Sequence, residues 1–193
     1  MRLLRPQQWT KNAVVLAGLV FAEITDQPHA VLEAFLALVA FVLASASVYI
    51  VNDLRDIEVD RQHPLKRLRP LAAGAIEPTA AIRVAVALAA AALVVATIVT
   101  PLLAAIIGTY LVLMGAYTIW LKRIAILDVM VIAVGFVLRA VGGAVAVAVP
   151  ISPWLLICAF LLALFLGFGK RRAEMVGLGT DATRHRIALE GYT

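Results

Sequence analysis

Four oxygen-bearing side chains close an otherwise apolar stretch: Asn52, Asp53, Asp56 and Asp60. On one continuous helix Asp53, Asp56 and Asp60 fall at i, i+3 and i+7, on a single face. Carboxylates at this spacing repel one another, destabilise the helix and resist ionising together. The helix macrodipole makes anions less welcome still near a C-terminus. A divalent cation offsets this charge most simply. Hard oxygen ligands suit Mg²⁺, which takes one or two carboxylates, keeps waters and binds substrate phosphates. The other reading is a solvated acidic face paired with Arg55, Arg61 and Lys66. The position of the trio, at the mouth of an apolar helix and directly before a basic run, favours the metal.

That run is Arg61-Gln62-His63-Pro64-Leu65-Lys66-Arg67-Leu68-Arg69-Pro70. Pro64 and Pro70 prevent a long helix, so it is a shaped loop. Alone it would be an anchor on anionic lipid. Beside an acidic metal site it reads differently: carboxylates hold Mg²⁺, the metal holds a diphosphate, and Lys66 and Arg67 take up remaining phosphate charge. His63 reads as a loop residue. Further cations flank other apolar stretches: Arg5 and Lys11 with Trp9, Lys122 near Tyr117, and Lys170-Arg171-Arg172 with Glu174. Singly, each suits a membrane-interface anchor; together they surround an anion-binding mouth. Arg139 lies inside an apolar stretch, where a charge is expensive and usually faces a cavity or a partner. Asp128, eleven residues earlier, lies about three turns away, so both can face one cavity; the other reading is an ion pair to a neighbouring helix.

The elements that must hold these residues follow from composition. Of 193 residues, 63% are hydrophobic and 15% charged, with a mean hydropathy of +0.98. A soluble domain is about 45–50% apolar and about 25% charged, so a soluble enzyme and a disordered chain are both excluded. Residues 34–52, 84–121 and 140–169 contain no Asp, Glu, Lys or Arg. A hydrocarbon core takes about 20 helical residues. Thr100-Pro101 divides the second stretch, and Val149-Pro150-Ile151-Ser152-Pro153 ends the helix that begins before the third. Six helices are predicted, at about 9–22, 31–52, 80–99, 102–121, 125–148 and 154–170, the first being the weakest. Continuous rather than alternating hydrophobicity excludes a barrel. The fold class is all-α: a polytopic transmembrane bundle forming one membrane domain over 1–193. Sixteen of the 17 Lys and Arg residues fall on one side of these spans, which the positive-inside rule makes cytoplasmic. Ala44-Ser45-Ala46-Ser47 and Gly142-Gly143 are small-residue faces for close helix contact. Cys158 is the single cysteine, so no internal disulfide can form. No nucleic-acid partner is expected, and a homo-oligomer is left open.

Asn52-Asp53-x-x-Asp56-x-x-x-Asp60 resembles the first Asp-rich motif of the UbiA superfamily of membrane prenyltransferases. The decaprenyl-phosphate phosphoribosyltransferase branch is similar at more places. These are Leu4-Arg5-Pro6-x-x-Trp9-x-Lys11-Asn12, Val48-Tyr49-x-x-Asn52-Asp53, His63-Pro64-x-Lys66-Arg67 with Arg69-Pro70, Leu138-Arg139-Ala140 with Gly142-Gly143, and Gly169-Lys170-Arg171 with Ala173-Glu174. The resemblance implies a nine-helix fold around a polar cavity open to the cytoplasm, with about six helices present here and three beyond Thr193. Two features depart from the wider superfamily. Tyr117 and Lys122 are separated by four residues instead of three, and no second Asp pair follows helix 6, where Lys170, Arg171, Arg172 and Glu174 stand instead.

What the resemblance implies is transfer of a 5-phosphoribosyl group from phosphoribosyl pyrophosphate to a polyprenyl (decaprenyl) phosphate, releasing pyrophosphate. Asp53, Asp56 and Asp60 would be the catalytic, Mg²⁺-binding residues, with Asn52 orienting them or the substrate. Arg5, Lys11, Lys66, Arg67, Tyr117, Lys122, Arg139, Lys170, Arg171 and Glu174 are the substrate-binding candidates. The acceptor phosphate is already an anion, so no strong general base is needed. The competing enzyme reading is prenyl transfer from a polyprenyl diphosphate to an aromatic or other polar acceptor, which the same motif would serve. A transporter or channel lined by Arg139 and Asp128 is the non-enzyme alternative; the uncharged outer loops count against it.

Overall fold

The computed structural model describes residues 2–178, in which every regular element is a helix. Seven α-helices are present among them: α1 (Ala17–Phe21), α2 (Pro28–Arg55), α3 (Ile57–Gln62), α4 (Pro78–Val99), α5 (Pro101–Ile119), α6 (Leu127–Ala146) and α7 (Pro153–Leu178). Proline sets the starts: Pro28, Pro78, Pro101 and Pro153 each occupy the first helical position, where the missing N–H costs nothing and φ is already helical. Thr100, preceding Pro101, is extended (φ −163°, ψ 143°), and its hydroxyl accepts from the Leu102 N–H at 3.4 Å. One residue therefore turns α4 into α5, because the position before proline disfavours helix.

Five helices, α2 and α4 to α7, are long and apolar enough to cross a membrane. The sixth predicted span differs. Residues Pro6–Leu16 wind as a 3-10 helix, continued by α1 for only five residues. The cause lies in α6. A Cβ on Gly143 would sit 1.8 Å from the Val15 carbonyl oxygen, and one on Gly18 would sit 2.9 Å from Ala144 Cα. The N-terminal segment is pressed onto the α6 backbone, and a tighter winding suits that contact. Two other boundaries extend past expectation: α2 reaches Arg55, and α7 runs on to Leu178.

Helix α2 is the central post. Ala34, Ala37, Ala40, Phe41, Ala44, Ser45, Ala46 and Ser47 are all buried, so the small-residue face does admit close neighbours. The main core gathers Phe41, Leu103, Ile107, Tyr110 and Met114 with alanines of α2 and α4. Outward faces are equally apolar: Val112 on α5 and Trp154 and Phe165 on α7 are largely exposed, as lipid-facing positions require.

Gly143→Ala should destabilise the bundle by about 1–3 kcal/mol, the cost of overpacking. Gly108→Ala on α5, where a Cβ meets nothing within 4 Å, should be neutral or gain up to about 1 kcal/mol of helix preference. Thermal unfolding in detergent compares the two.

Candidate functional site

Helix α2 ends at Asp56 (φ −98°, ψ 10°), and α3 begins at the next residue. The Asp60 N–H still bonds the Asp56 carbonyl at 2.8 Å, so the path stays nearly helical through the motif. Asp53 and Asp60 are buried, at 4% and 3% exposure, which removes the solvated-face reading. Arg55 and Arg61 are not the partners seen. Arg61 pairs with Glu58 and the Ala72 carbonyl, and Arg55 bonds the Ile119 carbonyl.

The balancing charges come from far along the chain. Arg5 grips Asp53 with both arms of its fork, Nε to Oδ2 at 3.1 Å and Nη2 to Oδ1. Arg69 Nη1 bonds Asp53 Oδ1 at 3.1 Å and Asp60 Oδ2 at 2.5 Å, so one nitrogen joins two carboxylates. Lys122 Nζ reaches Asp56 Oδ1 at 2.5 Å and Asn52 Oδ1 at 3.2 Å, while Asn52 Nδ2 donates to Asp56 Oδ2 at 3.0 Å. Arg5, Asp53, Leu65, Leu68, Arg69 and Pro70 line a cavity of about 240 Å³. Arg5 adopts a left-handed conformation (φ 47°), at a cost of roughly 1–2 kcal/mol for a non-glycine residue. The Asp53 fork and a cation–π contact with the Tyr49 ring, 5.4 Å to its centroid, hold it there.

Among the described residues, no three acidic, His or Cys side chains converge on a ready-made metal position. The aligned trio is instead shared out among three cations, with Arg5 and Arg69 on Asp53, Arg69 also on Asp60, and Lys122 on Asp56. The donor set nonetheless fits Mg²⁺ by chemistry: three carboxylates and an amide oxygen, with Asp53 and Asp60 held close enough to share one nitrogen. Hard oxygen donors of this kind suit that ion.

Other candidates fall in different places. Lys66 begins a short 3-10 turn in the basic loop, and the His63 ring nitrogen accepts from the Leu65 and Lys66 backbones. Arg67 is exposed on the same turn and Tyr117 packs against the main core. Lys11 is exposed on the 3-10 segment. Partial burial, then the charges of Lys170, Arg139 and Arg5, hold its ammonium below the usual lysine range. Lys170 is exposed on α7, and the side chain of Glu174 lies outside the described residues.

Arg139 and Asp128 bond different partners. Asp128 is fully buried and accepts from Arg171 Nε at 2.8 Å, an ion pair that fastens α7 to α6. Arg171 is thereby placed in the helix interface instead of the mouth. Arg139 is the hub of a second buried network, bonding Asn12 Oδ1 at 2.7 Å, Gly135 O at 2.8 Å, Ser45 Oγ at 3.1 Å and Tyr110 Oη at 2.8 Å. Its guanidinium also lies 4.7 Å from the Tyr110 ring centroid. Neutral oxygens and π-faces thus offset a charge that would cost at least about 3 kcal/mol unsupported in a bilayer. The network ties the N-terminal segment to α2, α5 and α6, and so sets the position from which Arg5 reaches Asp53.

Arg69 is the site residue that sequence reasoning passed over. Its signal was present, a lone Arg fixed before Pro70 at the end of the basic run, but nothing local pointed it back at Asp53 and Asp60. Asn12, Ser45 and Tyr110 were likewise absorbed into apolar helices.

The model of the UbiA prenyltransferase family matches residues 12–174. The chain belongs to that family. Its whole length aligns at 38% identity with a decaprenyl-phosphate phosphoribosyltransferase of Mycolicibacterium smegmatis, over 62% of that protein. It aligns at 36% with the protein of the same name from Corynebacterium glutamicum, over 59%. The chain thus spans less than two thirds of the length of these curated relatives. Its fold matches a UbiA homolog from Archaeoglobus fulgidus bound to GPP and Mg2+, with a TM-score of 0.81 and 23% identity, over 98% of this chain and 68% of that one. The UbiA fold and a multi-pass membrane placement follow.

Asp128→Asn should destabilise this UbiA-family bundle by about 3–5 kcal/mol by removing the carboxylate charge that the buried Arg171 Nε bonds. Asp128→Leu combined with Arg171→Met should recover most of that loss. Detergent unfolding curves of the single and double variants measure the difference.

Proposed function

We propose that the protein transfers a 5-phosphoribosyl group from phosphoribosyl pyrophosphate to a polyprenyl phosphate such as decaprenyl phosphate, releasing pyrophosphate on the cytoplasmic side. The observation that carries this reading is the charge-balanced cluster of Asp53, Asp56 and Asp60 with Arg5, Arg69 and Lys122. It joins oxygen ligands for a divalent cation to donors for a diphosphate within one mouth. Alignment of the whole chain with 59–62% of the length of the phosphoribosyltransferases supports the donor assignment.

Asp53, Asp56 and Asp60, with Asn52, would hold Mg²⁺. Bound there, the ion would supply Lewis-acid neutralisation of the diphosphate oxygens. The remaining work falls to this chain. With the carboxylates turned to such an ion, Arg5, Arg69 and Lys122 would be free of their acidic partners and placed to bond phosphate oxygens. Charge-assisted bonds of this kind are short and strong, and Arg presents them as a fork. They stabilise negative charge as it develops on the departing pyrophosphate. The ribosyl carbon gains oxocarbenium character, and the acceptor phosphate oxygen attacks it. That oxygen is already anionic, so no proton need be removed, which agrees with a cluster built from cations and carboxylates. Lys66, Arg67, Lys11 and Lys170, around the same end of the bundle, would draw in the two anionic substrates. Catalysis is then alignment plus charge stabilisation.

Membranes expressing the protein, supplied with radiolabelled phosphoribosyl pyrophosphate, Mg²⁺ and polyprenyl phosphate, should yield a labelled lipid. Asp53→Asn and Asp56→Asn should each lower the rate by about 10²- to 10³-fold, the loss typical of removing one preorganised electrostatic contact, and EDTA should abolish it. Absence of labelled lipid, with turnover of a polyprenyl diphosphate instead, would replace this reading by prenyl transfer.

A further inference from the structure

A cavity of about 540 Å³ lies away from the acidic cluster. Ser47, Val51, Leu54 and Arg55 of α2 form one wall, Ile82, Ala85, Val86 and Ala89 of α4 the other, and Thr118 and Ile119 of α5 its end. Its volume falls in the range of sites that take apolar ligands, about 300–1,000 Å³. The trough runs along α2 from Ser47 to Arg55, about 12 Å at the helical rise. Ala85 and Ala89 keep it open by contributing only methyl groups.

Two polar features mark this trough. Arg55 stands at its rim, exposed, with one guanidinium nitrogen on the Ile119 carbonyl at 3.2 Å. Among the described residues no carboxylate is paired with it, although it sits in a motif rich in acids. The second feature is Thr118, 1% exposed, whose hydroxyl oxygen has no hydrogen-bond partner among the described residues. A buried hydroxyl at membrane depth is costly unless something bonds it. An apolar channel with one unsatisfied hydroxyl inside and one cation at the interface has the chemistry of a lipid: acyl chain, ester oxygen and phosphate in that order.

We propose that this trough binds an anionic glycerophospholipid, with an acyl chain between α2 and α4, an ester oxygen at Thr118 and the phosphate on Arg55. The lipid is a bilayer lipid and not the polyprenyl substrate. Arg55 and Asp53 are two residues apart on α2, so their side chains diverge by roughly 200° around the axis. A phosphate on Arg55 therefore faces away from Asp53. The site rests only on the fold and the membrane placement, and it stands whether or not the protein transfers phosphoribose. Because Arg55 also holds the last carbonyl of α5, a phosphate there would brace the turn that carries Lys122 to Asp56.

Native mass spectrometry of the protein, incubated in detergent with equal amounts of phosphatidylglycerol and phosphatidylcholine, tests this. Phosphatidylglycerol should be retained in preference by about fivefold, the ratio that one Arg gives against an anionic headgroup. Arg55→Gln should bring the ratio close to unity, and Arg55→Lys should keep it. Ala89→Leu fills the trough at a partly exposed position that tolerates a larger side chain, and should lower retention of both lipids. Arg83→Gln, at the same end of the bundle but not lining the trough, should change nothing. Equal retention of the two lipids by the unmodified protein overturns the proposal. So does an unchanged ratio in Arg55→Gln, an equal effect of Arg83→Gln, or stoichiometric displacement of phosphatidylglycerol by polyprenyl phosphate.

Discussion

Negative charge at the end of α2 must be balanced, and much of the molecule's arrangement meets that demand. Asp53 and Asp60 are nearly inaccessible to water, so neither can rely on solvent to carry its charge. Three cations close on the motif from three separate places: Arg5 from the N-terminal segment, Arg69 from the loop after α3, and Lys122 from the turn after α5. A buried carboxylate left alone would cost several kcal/mol. That penalty ties the N-terminus, the basic loop and the α5–α6 connection to the mouth of one helix.

The same electrostatic economy serves chemistry and structure at two depths. At the mouth, cations and carboxylates neutralise one another in a form that a metal and a diphosphate could replace, charge for charge. Deeper in the bundle the three other buried charges among the described residues are treated differently. Asp128 and Arg171 form an ion pair between α6 and α7, and Arg139 is dissolved in neutral oxygens and aromatic faces. Both are scaffolds. Arg139 fixes Asn12, and hence the segment that carries Arg5, so a residue far from the mouth governs the geometry within it.

Close approach of helices makes this possible. Gly143 lets the Val15 carbonyl lie directly on α6, and Gly142 accommodates the Phe41 ring, whose nearest atom would lie 2.5 Å from an added Cβ. With larger residues there the N-terminal segment would be held off the bundle, and Arg5 could not reach Asp53. Small residues on α2, α4 and α6 thus act through distance: they shorten it until short polar side chains can bond.

Composition and hydropathy by themselves determined that the chain is an all-helical membrane bundle. They also located five of its spans, because a hydrocarbon solvent demands continuous apolar helices and proline marks where four of them begin. The Asp53, Asp56 and Asp60 motif was equally legible, since three like charges on one helix face need an external counter-charge whatever surrounds them. Which counter-charge answers was not legible. Arg69, sixteen residues after Asp53, and Arg5, forty-eight before it, become neighbours only when the loop folds back and the N-terminal segment docks on α6. The winding of that segment, the different partners of Asp128 and Arg139, and the trough beneath Arg55 likewise depend on packing across helices. Periodicity along one helix carries no information about its neighbour's distance, so tertiary structure alone decided them.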